Sequence, residues 1–416
     1  MKIIKHIILA ASVIITGSAF TAQAQLSSSP YSKFGYGLLN DNATSAQRAM
    51  GGVGYAMRSG RQINVMNPAA YAATDSLTFL FDMGVNFETY SYSDAGSRFN
   101  DINGGLDYIT MQFPLSKRVG MSVGLLPFSS VGYAFGSEID NGRSSRQGSG
   151  GINMAYVGVG YRPVNGLSLG MNIGYMFGNS FNDVYASAST GSTSLFEKVM
   201  KVRDWRAEFG VQYGYTFGIN HTLTAGVTFA PGKDLHGNTY AVKYDVSADT
   251  KADTVGYTNM KGKFSMPASW GFGLNYQWAD RLMVEADFSM QNWSNAKYTA
   301  IEGYDEDVQF ANRTKFAFGA QYRHKVRGNY LQRIQWRAGM FTGRDYMMVA
   351  GNHVNEFGLC AGFGLPTPAG NKTVINLGFQ YIHRQASPNP LVKENYCNIT
   401  LGINLNELWF MPSKIR

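Results

Sequence analysis

Cysteine is almost absent. Cys360 and Cys397 are the only two in 416 residues, and they fall in predicted strands that are not neighbours. A disulfide framework is therefore excluded, and both are read as free, packed thiols. Charge is scarce as well, at 15% of residues. The basic excess of +8 is scattered, with no long Lys/Arg run, which argues against nucleic acid as a partner. Beyond residue 24, no stretch reaches the roughly 18 consecutive apolar residues that a membrane-spanning helix needs. The six histidines are scattered, and none has metal-ligand spacing. No Gly-x-Ser-x-Gly elbow and no P-loop occur. His353 and Asp345 share one loop, a pairing that chance alone supplies. These absences point to a chain that is not an enzyme and needs no cofactor or metal.

The amino terminus is read as an export signal. Lys2 and Lys5 form a basic region, Ile7 to Ile15 an apolar core, and Ala22-Gln23-Ala24 a small-residue cleavage site. Cleavage before Gln25 removes residues 1–24 and lowers the net charge from +8 to +6.

The chain as a whole is rich in aromatics, with 25 Tyr, 26 Phe and 6 Trp, and in glycine, with 48. It also alternates. One parity gives Leu167, Leu169, Met171, Ile173 and Tyr175, then Trp205, Ala207, Phe209, Val211 and Tyr213. The same pattern recurs over Trp270–Trp278, Leu282–Met290, Ile375–Tyr381 and Cys397–Leu405. None of the 29 positions in these six stretches is charged, where the chain average would place roughly four. The opposite parity holds Ser168, Asn172, Gln212, Asn275, Asn376, Gln380, Asn398, Thr400 and several glycines. A soluble sandwich also alternates. However, a polar face of Asn, Gln and Gly suits a lumen better than a water-exposed surface.

Fourteen such strands are expected, near 77–91, 106–116, 119–136, 150–162, 166–179, 201–217, 220–234, 266–278, 280–292, 310–323, 332–343, 355–365, 373–384 and 395–408. An even count lets the last strand close on the first and leaves no edge in lipid. Connections after even strands are short, and long ones such as 180–200, 235–265 and 293–309 follow odd strands. That rhythm places short turns in the periplasm and long loops outside. Aromatics at the ends of even strands (Tyr161, Phe217, Trp278, Tyr322, Phe363, Trp409, Phe410) mark an interfacial girdle. The fold class is thus an all-β, 14-stranded antiparallel transmembrane barrel over 77–416. Residues 25–76 do not alternate and carry short helix signals: Ser45 as a cap for Ala46–Met50, and Asn67 as N-cap with Pro68 at N1. Their many apolar groups favour a hatch folded into the lumen over a free tail.

Arg48-Ala49-Met50-Gly51-Gly52, followed by Asn67-Pro68-Ala69, resembles the hatch of the FadL/TodX outer-membrane transporters. Ser265–Gly271 and Trp336–Met340 resemble further stretches of that family. Ser29–Ser32 and Asn406–Met411 look more like its Bacteroidota branch. The resemblance implies a monomeric outer-membrane channel that takes hydrophobic solutes such as long-chain fatty acids or aromatic hydrocarbons. It also implies sideways exit into the membrane lipid through a gap at a kinked third strand.

Pro127, beside Phe128, lies inside the predicted third strand, where proline breaks a ladder or marks a bulge. It is either that wall gap or a bulge that opens nothing. Asn67, Pro68 and Ala69 are either a ligand-sensitive hatch gate or a cap that anchors the hatch. Arg206, Glu208, Glu285, Asp287 and Arg337 sit on the lumen parity. They either meet a carboxylate head group, with the two arginines as anion partners, or brace barrel to hatch. Apolar residues near the loops (Leu195, Phe196, Val199, Met200, Phe310, Met347, Met348, Val349) form either an outer landing site or ordinary loop packing. Passive uptake of a hydrophobic small molecule is the expected function. A FadL-like barrel acting as a partner in outer-membrane protein secretion is the alternative.

Overall fold

The computed structural model describes residues 29–93, 98–139, 142–189, 193–246, 253–259, 264–298, 308–367 and 372–408. The signal peptide expected at 1–24, and Trp409 and Phe410, lie outside the described residues.

Fourteen antiparallel strands close into a barrel: β1 (Thr78–Ser93), β2 (Arg98–Pro114), β3 (Val119–Ile139), β4 (Gly142–Tyr161), β5 (Leu167–Ala188), β6 (Thr193–Phe217), β7 (His221–Ala230), β8 (Ser269–Trp278), β9 (Leu282–Gln291), β10 (Arg313–Arg323), β11 (Gln335–Val349), β12 (Asn352–Pro366), β13 (Val374–Ser387) and β14 (Lys393–Leu408). The closing ladder pairs β1 with β14, from Thr78↔Leu408 to Ser93↔Lys393. Every strand of the expected set is present.

The molecule is inside out relative to a soluble protein. Leu169, Phe209 and Leu401 stand on the outer skin, 41%, 43% and 38% exposed. The opposite parity, including Ser168, Asn172, Gln212, Asn275, Asn376 and Thr400, is buried. An apolar exterior around a polar interior is stable only where hydrocarbon wets the outside. Tyr161, Phe217, Trp278 and Tyr322 stand exposed near the ends of the even strands, as a girdle requires. Cys360 is buried and Cys397 exposed, and neither is bridged.

Strand lengths correct the sequence reading. The span 180–200 is not a loop, because β5 runs on to Ala188 and β6 starts at Thr193. β6 has 25 residues, while a bilayer needs about 9–11. The excess stands outside the membrane as a tall ribbon. There Gly237–Val246 takes over as partner of β6, pairing with Thr193–Val202. Alternation fades in this region because water wets both faces, so period 2 carries no signal.

Residues 29–76 lie within the lumen and wind along its wall. Ser45 and Ala49 lie against Gly84 (β1), Gly402 (β14), Gly378 (β13) and Gly362 (β12). Met50 follows against Gly339 (β11) and Gly319 (β10), then Tyr55 against Gly271 (β8) and Gly226 (β7). Asn67, Pro68 and Tyr71 complete the circuit against Gly210 (β6), Gly170 (β5), Gly158 (β4) and Gly120 (β3). Twelve strands thus present an inward glycine to one turn of hatch chain. A Cβ at most of these positions would overlap hatch atoms. The remaining two strands contribute polar anchors instead. On β2, Tyr108 accepts from the Ser45 N–H at 2.8 Å, and Asp107 pairs with Arg48 at 2.8 Å. On β9, Glu285 and Asp287 accept from hatch amides.

The two expected helix starts fare differently. Asn67 caps the 3₁₀ turn Pro68–Ala73, its side chain accepting from the Ala69 N–H. At the other, Thr44 rather than Ser45 is the N-cap of the helical turn Ser45–Arg48, in a capping box with Gln47. The Ser45 hydroxyl is occupied by Tyr108.

Candidate functional site

Among the described residues, the wall has one weak seam. The β2–β3 ladder runs only from Ile109↔Leu125 to Pro114↔Gly120, whereas β3 continues beside β4 as far as Ile139↔Gly142. Among the described residues, β2 from Arg98 to Tyr108 pairs only with β1. The seam opens two residues before Pro127, and the β3–β4 register slips between Pro127 and Ser129. The bulge therefore coincides with a break in the wall, and both lie on the third strand.

The hatch covers the β3 edge exposed above that break. Leu38 and Leu39 pair antiparallel with Ser130 and Ser129. The Asn40 N–H donates to the Phe128 carbonyl at 2.9 Å, and the Ser29 N–H to the Gly132 carbonyl at 2.7 Å. The Gly132 N–H donates to the Ser32 hydroxyl at 3.0 Å. The same hatch segment reaches β14 across the gap, where the Ser29 hydroxyl donates to Glu394 at 2.6 Å and the Tyr31 hydroxyl to the Val392 carbonyl at 2.6 Å. Phe128 packs against the core cluster that includes Tyr31, Tyr36 and Leu38.

An aromatic cap joins the hatch to residues at the long-loop end of the barrel. Tyr36 lies 5.2 Å from Trp293 and 5.9 Å from Tyr298, and Trp293 lies 4.5 Å from Tyr346. The Tyr346 hydroxyl donates to the Gly37 carbonyl at 2.6 Å. Met200, Phe310, Met347 and Val349 from the expected landing site pack with this cluster and the hatch, while Leu195 and Phe196 stand on the tall ribbon. Burial pushes the Tyr36 phenol well above its ordinary range.

The lumen charges separate into two kinds. Asp287 accepts from the Gly54 and Tyr55 N–H groups at 2.7 and 3.0 Å. Glu285 accepts from the Ala56 N–H at 2.8 Å and from Asn275 at 2.7 Å. Both act as braces. The arginines are bound to neutral groups. Arg337 donates to Gln321, Asn376 and Gln335 at 2.8, 2.7 and 2.5 Å. Arg206 donates to Ser269 at 2.8 Å and stacks over Phe128. Glu208 lines a small cavity of about 80 Å³ with Arg206. Asn67 is fully buried, and its amide donates to the Tyr55 carbonyl at 2.6 Å. His353 and Asp345 do not come together; Asp345 lies beside Arg313 and Arg384.

Sequence reading missed a second set of lumen charges. Asp41 of the hatch contacts Lys315 and pairs with Arg313 at 3.2 Å. Burial alone would push the Asp41 carboxyl up, but Lys315 and Arg313 outweigh it and hold it well below the usual carboxylate range. Arg384 joins Glu356 and Glu394 at 3.2 and 3.5 Å. Arg313 and Lys315 sit on the lumen parity of β10, and that was the available signal. The described lumen cavities are small and polar, at about 120 and 80 Å³. A larger apolar concavity, about 650 Å³, lies on the outer skin between Phe272, Phe288, Phe316 and Met340.

Comparison with solved structures places the architecture. The fold is similar to that of the P. putida toluene transporter TodX, with TM-score 0.63 and 14% identity over 89% of this chain and 99% of that one. It is similar to a Pseudomonas aeruginosa FadL homologue, with TM-score 0.59 and 12% identity over 90% and 100%. The Ralstonia pickettii toluene transporter TbuX gives TM-score 0.54 and 15% identity over 88% and 98%. At such identities the likeness is one of fold. No curated protein sequence matches. A family model described as BamG matches residues 3–416, and the chain therefore belongs to the BamG family.

Proposed function

We propose that this barrel is an outer-membrane channel that takes up a hydrophobic small molecule and releases it sideways into the membrane between β2 and β3. The observation that carries the reading is the seam itself: a ladder that stops at Ile109↔Leu125, with the freed β3 edge covered by hatch residues instead of wall. The aromatic cap around Tyr36, Trp293 and Tyr346 supplies an apolar entry. Each CH₂ leaving water there gains about 0.8 kcal/mol. TodX and TbuX are named as toluene transporters, and their shared architecture supports the same class of solute here. Asn67, Pro68 and Ala69 hold the turn that the hatch must keep, or move, when cargo passes.

A second reading draws on the cavities. The described lumen voids are polar, and neither matches the outer apolar concavity in volume. A barrel whose interior is braced shut suits a partner role in outer-membrane protein secretion, with the outer wall as its working face.

One pair of cysteines separates the two. Leu38→Cys with Ser130→Cys, in a Cys397→Ser background, joins direct ladder partners across the seam. On the transport reading, oxidation stops hydrocarbon uptake by cells and reduction restores it. Uptake that ignores the cross-link, with no apolar ligand retained in native mass spectrometry, rules out lateral transport. Co-purification of a large translocon would then favour the second reading.

A further inference from the structure

The cavity of about 120 Å³ lies between hatch and wall, and its chemistry is specific. Asn86 and Glu88 are two residues apart on β1 and share one face. Asn398 on β14 is the direct cross-strand partner of Glu88. Asp107 is the extra residue of a bulge in β2: Leu106 stands opposite Val85 and Tyr108 opposite Gly84, leaving Asp107 between them. All four line the cavity, and each is 5–7% exposed.

Each of the four also carries a buried oxygen with no hydrogen-bond partner: Asn86 Oδ1, Glu88 Oε1, Asp107 Oδ2 and Asn398 Oδ1. Two donors on the same cavity, Asn40 Nδ2 and Arg384 Nε, are unpartnered too. Buried acceptors of this kind are normally satisfied, so four on residues that line one void point to a missing positive partner.

Four carboxylates line this void, Asp41, Glu88, Asp107 and Glu356, against four cations, Arg48, Arg313, Lys315 and Arg384. Two further carboxylates, Glu394 and Asp345, stand against Arg384 and Arg313 from outside the lining. Asp41, Asp107, Glu356 and Glu394 each have an ion-pair partner. Glu88 has none within 4 Å among the described residues. Buried, uncompensated negative charge must be neutralised by a proton or a counter-ion.

We propose that Asn86, Glu88, Asp107 and Asn398 bind one hard metal cation of the calcium class. The donors are oxygen only, two from carboxylates and two from amide carbonyls, which is the calcium preference. The void beside them, about 120 Å³, leaves room for waters to complete a coordination of six to eight. Because Asp107 also holds Arg48, the ion ties the hatch to β1, β2 and β14 next to the seam.

The test uses the intact mature protein in detergent, stripped with EDTA and titrated with calcium. The expected result is one calcium per chain, a dissociation constant on the order of 10⁻⁴–10⁻³ M as for weak extracellular sites, and a calcium-dependent rise in Tm. Glu88→Gln lowers affinity at least tenfold, and Asn398→Asp, which adds a carboxylate, raises it at least threefold. If Glu88→Gln does not fold, Asn398→Asp decides alone. No stoichiometric binding, or affinity unmoved by the substitutions, overturns the site. Equal binding of magnesium that neither substitution alters marks surface ions and overturns it as well.

Discussion

Leu38 of the hatch is the antiparallel partner of Ser130 on β3, on the stretch of β3 that β2 does not reach. A bare strand edge facing hydrocarbon leaves backbone groups unsatisfied at several kcal/mol each. The hatch strand therefore seals the wall as well as filling the lumen, and opening the seam requires it to leave.

Gly37 provides a way to force that departure. It has φ +83°, and a Cβ there would overlap the Ser130 carbonyl and the Val131 side chain. A β-branched residue pays both the left-handed backbone cost, about 1–3 kcal/mol, and the clash. Gly37→Val is expected to lift Leu38 off β3 while the barrel stays closed through β1 and β14. Thiol labelling of Ser130→Cys in a Cys397→Ser background should then accelerate at least tenfold over the same protein with Gly37. Unchanged labelling would show that the seal does not depend on this pairing.

The glycine circuit makes a separate prediction. Gly339 lies directly under the Met50–Gly51 backbone, and a Cβ there would overlap the Met50 carbonyl carbon. Gly339→Leu should cost about 1–3 kcal/mol through overpacking, seen as a lower Tm and as hatch cleavage by protease. Ala338→Leu, on the lipid side of the same strand, should leave both unchanged. Equal effects from the two substitutions would refute the circuit.

Much of this architecture was legible because hydrocarbon imposes period 2 on every strand it wets. Leu169, Phe209 and Leu401 announced the outer face, and Asn172, Gln212 and Thr400 the inner one. Legibility ended where water replaced lipid: Asp183, Glu197 and Lys198 stand on extensions of β5 and β6 that alternation did not reveal. The lumen charges split in a similar way. Parity placed Glu285 and Asp287 on the lumen face, with bracing the hatch as one of two readings. The partners of Asp41 were not, because a hatch that winds past twelve strands chooses its contacts through three-dimensional path rather than spacing. The glycines on the lumen parity were visible in sequence, but only the wound hatch explains why so many strands carry one there.

Asp41 gives a pH prediction. Its carboxyl is held below the usual carboxylate range by Lys315 and Arg313, so its contribution to stability is complete above the unfolded value of 3.8 and is lost only as pH falls below that range. The hatch should stay attached at this corner through mild acid, down to about pH 4. Asp41→Asn leaves two buried cations without their partner, at a cost on the order of 3 kcal/mol at neutral pH. The difference in Tm between wild type and Asp41→Asn should be constant from pH 8 to pH 5. A difference that shrinks steadily over that interval would mean Asp41 is not held in this way.

Asp287 and Glu285 allow the brace to be weighed directly. One Asp287 oxygen takes both the Gly54 and Tyr55 N–H groups, and Glu285 takes the next, at Ala56. Asp287→Ala orphans two buried donors at roughly 1–3 kcal/mol each. Asp287→Asn keeps an acceptor and should lose only about 1 kcal/mol, the charge-assisted part. Ala286→Val, on the lipid face of β9, is expected to be nearly silent. The ordering Asp287→Ala, then Asp287→Asn, then Ala286→Val should appear both in Tm and in protease release of the hatch. If these carboxylates existed to receive a cationic or polar cargo, uptake would fall in that order while hatch release stayed flat, because the three amides would then be held by something other than β9.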